Sequence, residues 1–389
     1  MTAWLTIIGV GEGELPALPP AARIFGPARF EGRVPGLVAW WGPTLEGMLA
    51  QIFEARGTPT VVLASGDPLW FGIGATLAKR LAPEEFRIEP VPSAFQLAAA
   101  RLRWPLQHVK TLSLHGRPVE LLHPHVLPGN RILALTSDAR TVRQVAALLA
   151  ARGYGGSVLT VLETLGGPAE RISSAEARDF ALAIGDFYVL AIDCVADAGV
   201  ALLPPLPGLP DDAFVSDGQL TKREVRAATL ARLAPCPGAL LWDIGAGCGS
   251  VAIEWLRGAR DARAIAFERN AARCGMIAAN AKALGVPGLT IVAGEAPGSL
   301  AGQPAPEAVF LGGDLDNAAL FEACWAALKP GGRLVANAVT LAGEQALMAR
   351  QAALGGELVR LEIAVLDRVG GQPVLRPRLP VLQWLGVKP

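Results

Sequence analysis

Apolar residues along the chain follow two alternating periods. Short runs rich in valine, isoleucine and leucine, typical of buried strands, alternate with segments in which apolar residues recur every three or four positions. In the segment 140–152, Val142, Val145, Ala146 and Leu149 share one helical face. The alternation predicts α/β sheets in both halves of the chain. The predicted strands are 5–10, 60–64, 132–136, 158–162 and 187–192 in the first half, and 239–244, 263–268, 289–293, 308–311 and a further strand within 328–338 in the second.

The proline-rich stretch 203–212 suggests where the two halves meet. It holds four prolines, which lack amide donors and favour extended backbone. We therefore predict a first domain over 1–203, a linker over 204–213 and a second domain over 214–389. Further prolines at 90, 92 and 105 interrupt the first half. They suggest that it consists of two lobes that meet near residue 105.

Composition narrows the possible partners. Hydrophobic residues make up 51% of the 389 positions, and the 35 basic residues, which are scattered, balance the 35 acidic ones. Polyanion binding normally needs a concentrated basic surface, so we expect no nucleic-acid partner. The five cysteines form no CxxC pair, and no stretch approaches 18 uninterrupted apolar residues. The N-terminal segment is predicted as a strand and a glycine turn, not a signal peptide. We expect a cytoplasmic protein without a membrane span.

A glycine loop after the strand 239–244 is the strongest candidate for ligand binding. The segment reads Asp-Ile-Gly-Ala-Gly-Cys-Gly, and its G-x-G-x-G spacing is shorter than the G-x-G-x-x-G of dinucleotide-binding proteins. A loop of this kind before a helix presents free amides to a ligand. The spacing favours S-adenosylmethionine over NAD, although alone it could be a structural turn. The candidate cofactor-binding residues are Asp243, Gly245, Ala246, Gly247, Cys248 and Gly249.

The next two strands end in further candidate residues for the same cofactor. The strand 263–268 ends in Glu268, whose carboxylate could accept hydrogen bonds from both ribose hydroxyls. The strand 289–293 is followed by Glu295 and Ala296, where an adenine ring would lie. Taken with the LKPGG segment that begins at 328, this ordered set resembles the class I methyltransferases.

The resemblance is closest to the precorrin methyltransferases that act at carbon 15 and decarboxylate. It rests on Leu-Thr-Lys-Arg-Glu-Val-Arg-Ala at 220–227, Phe-Glu-Arg-Asn at 267–270 and Gly-Glu-Ala-Pro at 294–297. It implies that Thr221 contacts the cofactor. The alternative is that Thr221 and Glu224 form a capping box at the start of a helix. Asp314 stands where such enzymes commonly have a small residue, and we take it as a candidate catalytic residue.

Distinctive motifs also occur in the first half. Ala-Ser-Gly-Asp-Pro-Leu-Trp-Phe-Gly-Ile-Gly at 64–74, Pro-Ser-Ala-Phe-Gln at 92–96 and Ser-Leu-His-Gly-Arg at 113–117 resemble the tetrapyrrole methylase family, in particular the members that methylate carbon 5. The likeness weakens over 23–41. It implies a fold of two α/β lobes that bind S-adenosylmethionine. By this resemblance, Ser65, Gly66, Asp67 and Pro68 bind the cofactor, Gly9 and Gly11 of a Gly-Val-Gly-Glu-Gly turn face the substrate, and His115 and Arg117 are candidate catalytic residues.

The two resemblances together imply a fused enzyme of cobalamin biosynthesis. It would methylate precorrin-6B at ring carbons 5 and 15, remove the carbon 12 acetate carboxyl as carbon dioxide and yield precorrin-8X. We expect one S-adenosylmethionine site in each domain, no metal and a homo-oligomer. The alternatives are a methyltransferase fusion acting on RNA or protein, and a non-catalytic scaffold that binds S-adenosylmethionine. His115 could also be a structural residue. Candidate cations for the substrate carboxylates are Arg101, Lys222, Arg223 and Arg226.

Overall fold

The computed structural model describes residues 3–11, 15–39 and 45–389. The chain divides into two compact units. The first unit runs to Val119 and resumes over Pro128–Val200, and the second contains Glu120–Leu127 and Ala201–Pro389. Both are α/β units, which confirms the predicted fold class. Over the described ranges, every helix is too short or too polar to cross a membrane.

The first unit begins with a parallel sheet of five strands. The strand order is β3-β2-β4-β1-β5. Apolar side chains of β1 and β4 are buried against the first helix, as the sequence pattern predicts. The elements are β1 (Leu5–Val10), β2 (Arg23–Gly26), β3 (Leu37–Ala39), α1 (Leu45–Glu54), β4 (Thr60–Ser65), α2 (Ile73–Leu77) and β5 (Phe86–Glu89).

A second, mostly antiparallel sheet completes the first unit. Its order is β6-β7-β10-β8-β9, and only the β6/β7 pair is parallel. The predicted helix 140–152 is confirmed as α4, which begins after Asp138; this side chain caps the amide of Arg140. The elements are α3 (Ala94–Leu102), β6 (Val109–Ser113), β7 (Arg131–Leu135), α4 (Ala139–Ala151), β8 (Val158–Glu163), β9 (Arg171–Glu176) and β10 (Tyr188–Asp193).

The change from one sheet to the other does not fall near residue 105, as the prolines suggested. Helix α3 packs on the second sheet, since Phe95 and Ala98 share an apolar cluster with Leu133 of β7 and Val189 of β10. The chain therefore changes sheets between β5 and α3. The prolines at 90 and 92 mark that point, whereas Pro105 lies inside the second lobe.

The second unit is a doubly wound sheet of seven strands in the order β13-β12-β11-β14-β15-β19-β16. The first five are parallel, and β19 runs antiparallel between β15 and β16. The hairpin β17-β18 forms a separate two-stranded sheet. The elements are α5 (Arg223–Leu233), β11 (Leu240–Ile244), α6 (Ser250–Gly258), β12 (Arg263–Glu268), α7 (Ala271–Ala283), β13 (Thr290–Ala293), β14 (Ala308–Leu311), α8 (Ala318–Ala327), β15 (Arg333–Ala338), α9 (Leu341–Leu354), β16 (Glu357–Leu361), β17 (Ala364–Val369), β18 (Gln372–Pro377) and β19 (Val381–Val387).

The predicted linker 204–213 is not a free connection. Residues 203–222, which we call the strap, belong to the second unit and are held by polar side chains of its helices. Glu254 of α6 accepts hydrogen bonds from the amides of Gly208 and Leu209 at 2.6 and 2.9 Å. Arg257 of α6 donates to the carbonyls of residues 203 and 204. The prolines are compatible with this because they have no amide hydrogen to satisfy, while the amides of Gly208 and Leu209 are bonded by a side chain.

Candidate functional site

The glycine loop of the second unit lies where the strand order reverses. It follows β11, whose neighbours are β12 and β14, and ligands of doubly wound sheets bind at such a point. Gly245, Gly247 and Gly249 have φ of +66°, +60° and +80°, a region that favours glycine. A Cβ on Gly249 would lie 2.9 Å from Cγ2 of Ile277. The loop therefore needs glycine both for its backbone conformation and for its packing on α7.

Glu268, at the end of β12, fixes this loop. Its Oε2 accepts a hydrogen bond from the amide of Gly247 at 2.9 Å, and its Oε1 accepts one from the amide of Asn270 at 2.9 Å. The residue is only 4% exposed. Each carboxylate oxygen has a further acceptor site, so the same group can also accept from ribose hydroxyls. This arrangement is compatible with the predicted role of Glu268.

The open space beside Gly245 supports a ligand at the same place. A Cβ on Gly245 would meet no atom of the described chain within 4 Å. Ala246 is half-buried beside it. A carboxylate beside an uncharged loop suits a nucleoside that carries no phosphate. The residues therefore fit S-adenosylmethionine.

Two of the predicted cofactor contacts have buried side chains. Asp243 is 1% exposed, lies beneath the loop and accepts a hydrogen bond from the amide of Ala252 at 3.0 Å. Burial raises its pKa to about 7. Cys248 is 2% exposed and packs in the apolar core, and burial raises the pKa of its thiol. Both side chains are thus buried beneath the loop, and Asp243 secures the first turn of α6; a contact of this segment with the cofactor through its backbone stays a prediction.

The third strand end provides a more exposed pair. Glu295 is exposed and forms an ion pair with Arg269 at 3.3 Å. Ala296 is half-buried and packs against the core on the other face of the sheet. Because β13 is parallel to β12, both residues lie at the same sheet edge as Glu268. Their place on that edge is compatible with the predicted adenine site.

Thr221 does not cap a helix. Helix α5 begins at Arg223, its N-cap residue is Lys222, and no side chain caps it, so the capping-box alternative is wrong. The carbonyl of Thr221 instead accepts a hydrogen bond from Nη1 of Arg226. The neighbouring strap carbonyl of Gln219 lies 3.3 Å from where a Cβ of Gly247 would be. Thr221 is thus held beside the glycine loop by the fold.

Arg226 was expected to bind substrate, and the structure contradicts this. Its side chain is fully buried; Nε donates to Oε1 of Glu254 at 2.6 Å, and Nη1 donates to Oδ1 of Asp211 at 3.1 Å. The guanidinium also donates to the carbonyl of Leu209 and lies 4.8 Å from the ring centre of Phe214. Because its guanidinium is buried and bonded to these partners, Arg226 stabilises the fold and is not available to a substrate carboxylate.

The other charged candidates of this unit are exposed. Lys222 and Arg223 lie at the start of α5, at the end of the strap. Asp314 follows β14 with φ of +53°, unusual for a residue other than glycine, and its side chain is exposed. Since β14 is parallel to β11, Asp314 lies at the same sheet edge as the glycine loop. A carboxylate there can take part in proton transfer to or from a bound substrate.

In the first unit, the predicted cofactor turn Ser65–Pro68 is tied to the end of β1. The amide of Gly66 donates to the carbonyl of Val10 at 2.8 Å, and Oδ1 of Asp67 accepts from the amide of Leu69 at 2.7 Å. A Cβ on Gly9 would lie 2.8 Å from the carbonyl oxygen of Gly66, so packing alone requires glycine there. The space beside Gly11 is open. Residues 12 and 13 of this turn lie outside the described residues.

His115 and Arg117 are both exposed, and Arg117 lies close to an exposed aromatic pair that the sequence analysis did not assign. Nδ1 of His115 donates a hydrogen bond to the carbonyl of Thr136 at 3.1 Å, so Nε2 is the ring nitrogen left for a ligand. The Arg117 guanidinium lies 6.0 Å from the ring centre of Phe71. Trp70 and Phe71 pack on Phe95 yet remain 36% and 43% exposed.

A cavity adjoins these side chains. Its volume is about 240 Å³, and Arg117, Ser137, Asp138, Arg140 and Thr141 are among the residues that line it. Arg140 forms an ion pair with Asp138 at 2.6 Å. Of the two arginines in the lining, Arg117 is therefore the better candidate for binding an anionic ligand. Arg117 lines this cavity and also lies near the ring of Phe71.

Arg101 lies on α3 and already has a carboxylate partner. Its Nε and Nη2 donate to the two oxygens of Glu170 at 2.5 and 2.9 Å. Glu170 also accepts from the amide of Gly166 at 2.7 Å, and Arg101 holds its pKa below the usual range. The pair joins α3 to the segment between β8 and β9. Arg101 is therefore a weaker candidate for binding a substrate carboxylate.

Comparison with known proteins settles the family. Two family models match: Tetrapyrrole (Corrin/Porphyrin) Methylases over residues 47–181, and Precorrin methyltransferase domain over residues 212–388. The chain is 46% identical to precorrin-6Y C(5,15)-methyltransferase [decarboxylating] from Sinorhizobium sp. over 402 residues, covering 100% of this chain and 97% of that protein. The chain belongs to the precorrin-6Y C(5,15)-methyltransferase (decarboxylating) family.

Two further relatives show the same likeness. The enzyme of the same name from Mycobacterium tuberculosis is 40% identical over 350 residues, covering 89% of this chain and 87% of that protein. Among solved structures, the C-terminal domain of precorrin-6Y C5,15-methyltransferase from Rhodobacter capsulatus is 45% identical, covers 47% of this chain and 99% of that chain, and has a TM-score of 0.45.

Proposed function

We propose that this protein methylates precorrin-6B at ring carbons 5 and 15 with S-adenosylmethionine as methyl donor, and removes the carbon 12 acetate carboxyl as carbon dioxide to give precorrin-8X. The family supports the overall reaction. The observation that carries the cofactor assignment is the glycine loop with Glu268 bonded to the amide of Gly247. We assign carbon 15 methylation and decarboxylation to the second unit, and carbon 5 methylation to the first.

Methyl transfer depends mainly on how the methyl donor and the ring carbon are positioned, and it needs no catalytic triad. When bound, S-adenosylmethionine supplies an electrophilic methyl group. A ring carbon would supply the electron pair for the new C–C bond, and the cofactor, losing its S–C bond, would become S-adenosylhomocysteine. In the decarboxylation, the bond to the carboxyl carbon breaks, carbon dioxide leaves and the remaining carbon takes a proton. The protein holds the donor and the ring in line and excludes water.

The first unit offers a surface suited to a flat, polyanionic ring. Trp70 and Phe71 present exposed aromatic faces, Arg117 can pair with a ring carboxylate, and Nε2 of His115 can accept a proton. In the second unit, Lys222 and Arg223 supply exposed cations, and Asp314 is a candidate for proton transfer. A cytoplasmic location and assembly as a homo-oligomer remain predictions.

The test is mass spectrometry of precorrin-6B incubated with S-adenosylmethionine and the full-length protein. We expect two added methyl groups and loss of carbon dioxide. Glu268→Gln should slow carbon dioxide release, because it weakens both the loop and the ribose contact. His115→Ala and Arg117→Ala should slow carbon 5 methylation and leave carbon dioxide release intact. An unchanged substrate mass with folded wild-type protein would refute the proposal.

A further inference from the structure

The strap forms one side of the candidate cofactor site in the second unit. Its Gln219 carbonyl lies 3.3 Å from the position of a Cβ on Gly247, and Thr221 follows two residues later. The glycine loop forms the facing side. The distance between these two backbone segments sets the width of the space that a cofactor can enter.

One buried side chain of α7 bonds both segments. Asn280 is 1% exposed. Its Nδ2 donates to the carbonyl of Cys248 in the glycine loop at 3.0 Å and to the carbonyl of Val215 in the strap at 2.9 Å. Its Oδ1 accepts from the amide of Val215 at 2.8 Å. Both amide hydrogens and the amide oxygen are therefore used to join the loop to the strap.

A second contact secures the same part of the strap from the surface. Nε of Arg273, one helical turn before Ile277 on α7, lies 2.8 Å from Oδ2 of Asp217. Oδ1 of Asp217 accepts from the amide of Gln219 at 3.1 Å. Helix α7 thus holds the strap at Val215 and at Asp217, just before the residues that face the glycine loop.

We propose that Asn280 is a positioning residue that holds the strap and the glycine loop at the spacing S-adenosylmethionine requires, and so sets the affinity of the second unit for this cofactor. The inference rests on the proposed function. Asn280 does not touch the cofactor space; it acts through Cys248 and Val215. Its loss should weaken cofactor binding more than it slows the bound enzyme.

The experiment compares two isosteric substitutions in the full-length protein. In Asn280→Asp, the carboxyl group has at most one hydrogen to donate where the amide has two, so at least one backbone carbonyl loses its partner. The matched control is Asn337→Asp. Asn337 is also a buried amide of the second unit, bonded to Oγ1 of Thr229 at 2.9 Å and to Nε2 of Gln383 at 2.8 Å, with neither partner in the loop or the strap.

The readouts are carbon dioxide release against S-adenosylmethionine concentration and thermal unfolding. We expect Asn280→Asp to raise KM for S-adenosylmethionine about tenfold, the effect of losing one to two hydrogen bonds, with kcat changed less than about threefold. Asn337→Asp should lower the unfolding temperature to a similar extent and leave KM unchanged. Equal KM values for the two variants would overturn the inference.

A milder variant covers the case in which Asn280→Asp does not fold. Asp217→Ala removes a half-exposed ion pair from the same strap and should raise KM by about twofold to threefold. If Asn280→Asp cannot be assayed, an unchanged KM for S-adenosylmethionine in Asp217→Ala would overturn the inference that the position of the strap sets cofactor affinity. If wild-type protein itself released no carbon dioxide, the proposed function would fail rather than this inference.

Discussion

The buried ion pair between Arg226 and Glu254 yields the sharpest prediction of stability. The two side chains are 0% and 1% exposed and are joined at 2.6 Å. The Glu254 carboxylate also receives the amides of Gly208 and Leu209. In Glu254→Gln, the new amide hydrogens must face one of these donors, which removes a hydrogen bond worth about 1 kcal/mol.

The larger effect is the charge left on Arg226. Breaking a buried pair by removing one partner typically costs about 3–5 kcal/mol. Here Asp211, which is 28% exposed, stays as a second partner, so we expect the lower end, about 3 kcal/mol. Removing both charges avoids the unpaired guanidinium. The double variant Arg226→Gln/Glu254→Gln should therefore be more stable than the sum of the single losses predicts, by about 2 kcal/mol.

Hydrogen exchange measured by mass spectrometry suits this test, because a chain of two units need not unfold in one step. Peptides from α6 report the second unit, and the peptide containing 208–209 reports the strap. Arg232→Gln, on α5 like Arg226, is the control. The side chains of Arg232 and Glu357 are 21% and 68% exposed, so the loss of this ion pair should cost less than about 1 kcal/mol. Additive losses in the double variant, or a Glu254→Gln loss no larger than that of the control, would refute the reasoning.

Two further predictions concern the glycine loop and the residue beneath it. Burial raises the pKa of Asp243 to about 7, so between about pH 4 and pH 7 the folded state binds the extra proton and stability should fall as pH rises. In Asp243→Asn, stability should depend less on pH, as measured by unfolding curves from pH 4 to pH 8. An unchanged slope of stability against pH would show that another group titrates. Gly249→Ala places a Cβ at φ +80° and 2.9 Å from Ile277, so we expect about 1–2 kcal/mol of lost stability and a raised KM for S-adenosylmethionine. Wild-type values in both assays would contradict the packing argument.

Local signals predicted much of the fold. The strands that apolar runs indicated are all present, with ends that differ by at most one residue, because a buried parallel strand is almost continuously apolar. Strands β2, β3, β5, β6, β9, β16 and β19 were missed; β19 is apolar and buried, whereas β9 is polar and mostly exposed at the edge of its sheet. The hairpin β17-β18 was missed for a similar reason, because it lies outside the main sheet.

The site was predictable where one short segment carries it and not where distant segments meet. The glycine loop and Glu268 follow strands and could be recognised locally. The anchors of the strap could not, because their partners are far apart in sequence. Helical spacing does hold one clue: Arg226 shares a face of α5 with Leu230 and Leu233, and Asn280 lies between Ile277 and Leu284 on the buried face of α7. Polar residues in such apolar faces indicate buried bonds rather than substrate contacts.

The strap also determines how the two activities can be separated genetically. A reading frame divided at the proline-rich stretch would separate the strap from its partners, whereas division after Val200 would keep the strap on one gene product with Glu254, Arg257 and Asn280. Complementation in trans by two genes divided there would then show whether the two methylations depend on covalent linkage. The same experiment with a division at residue 213 would instead report the loss of the strap.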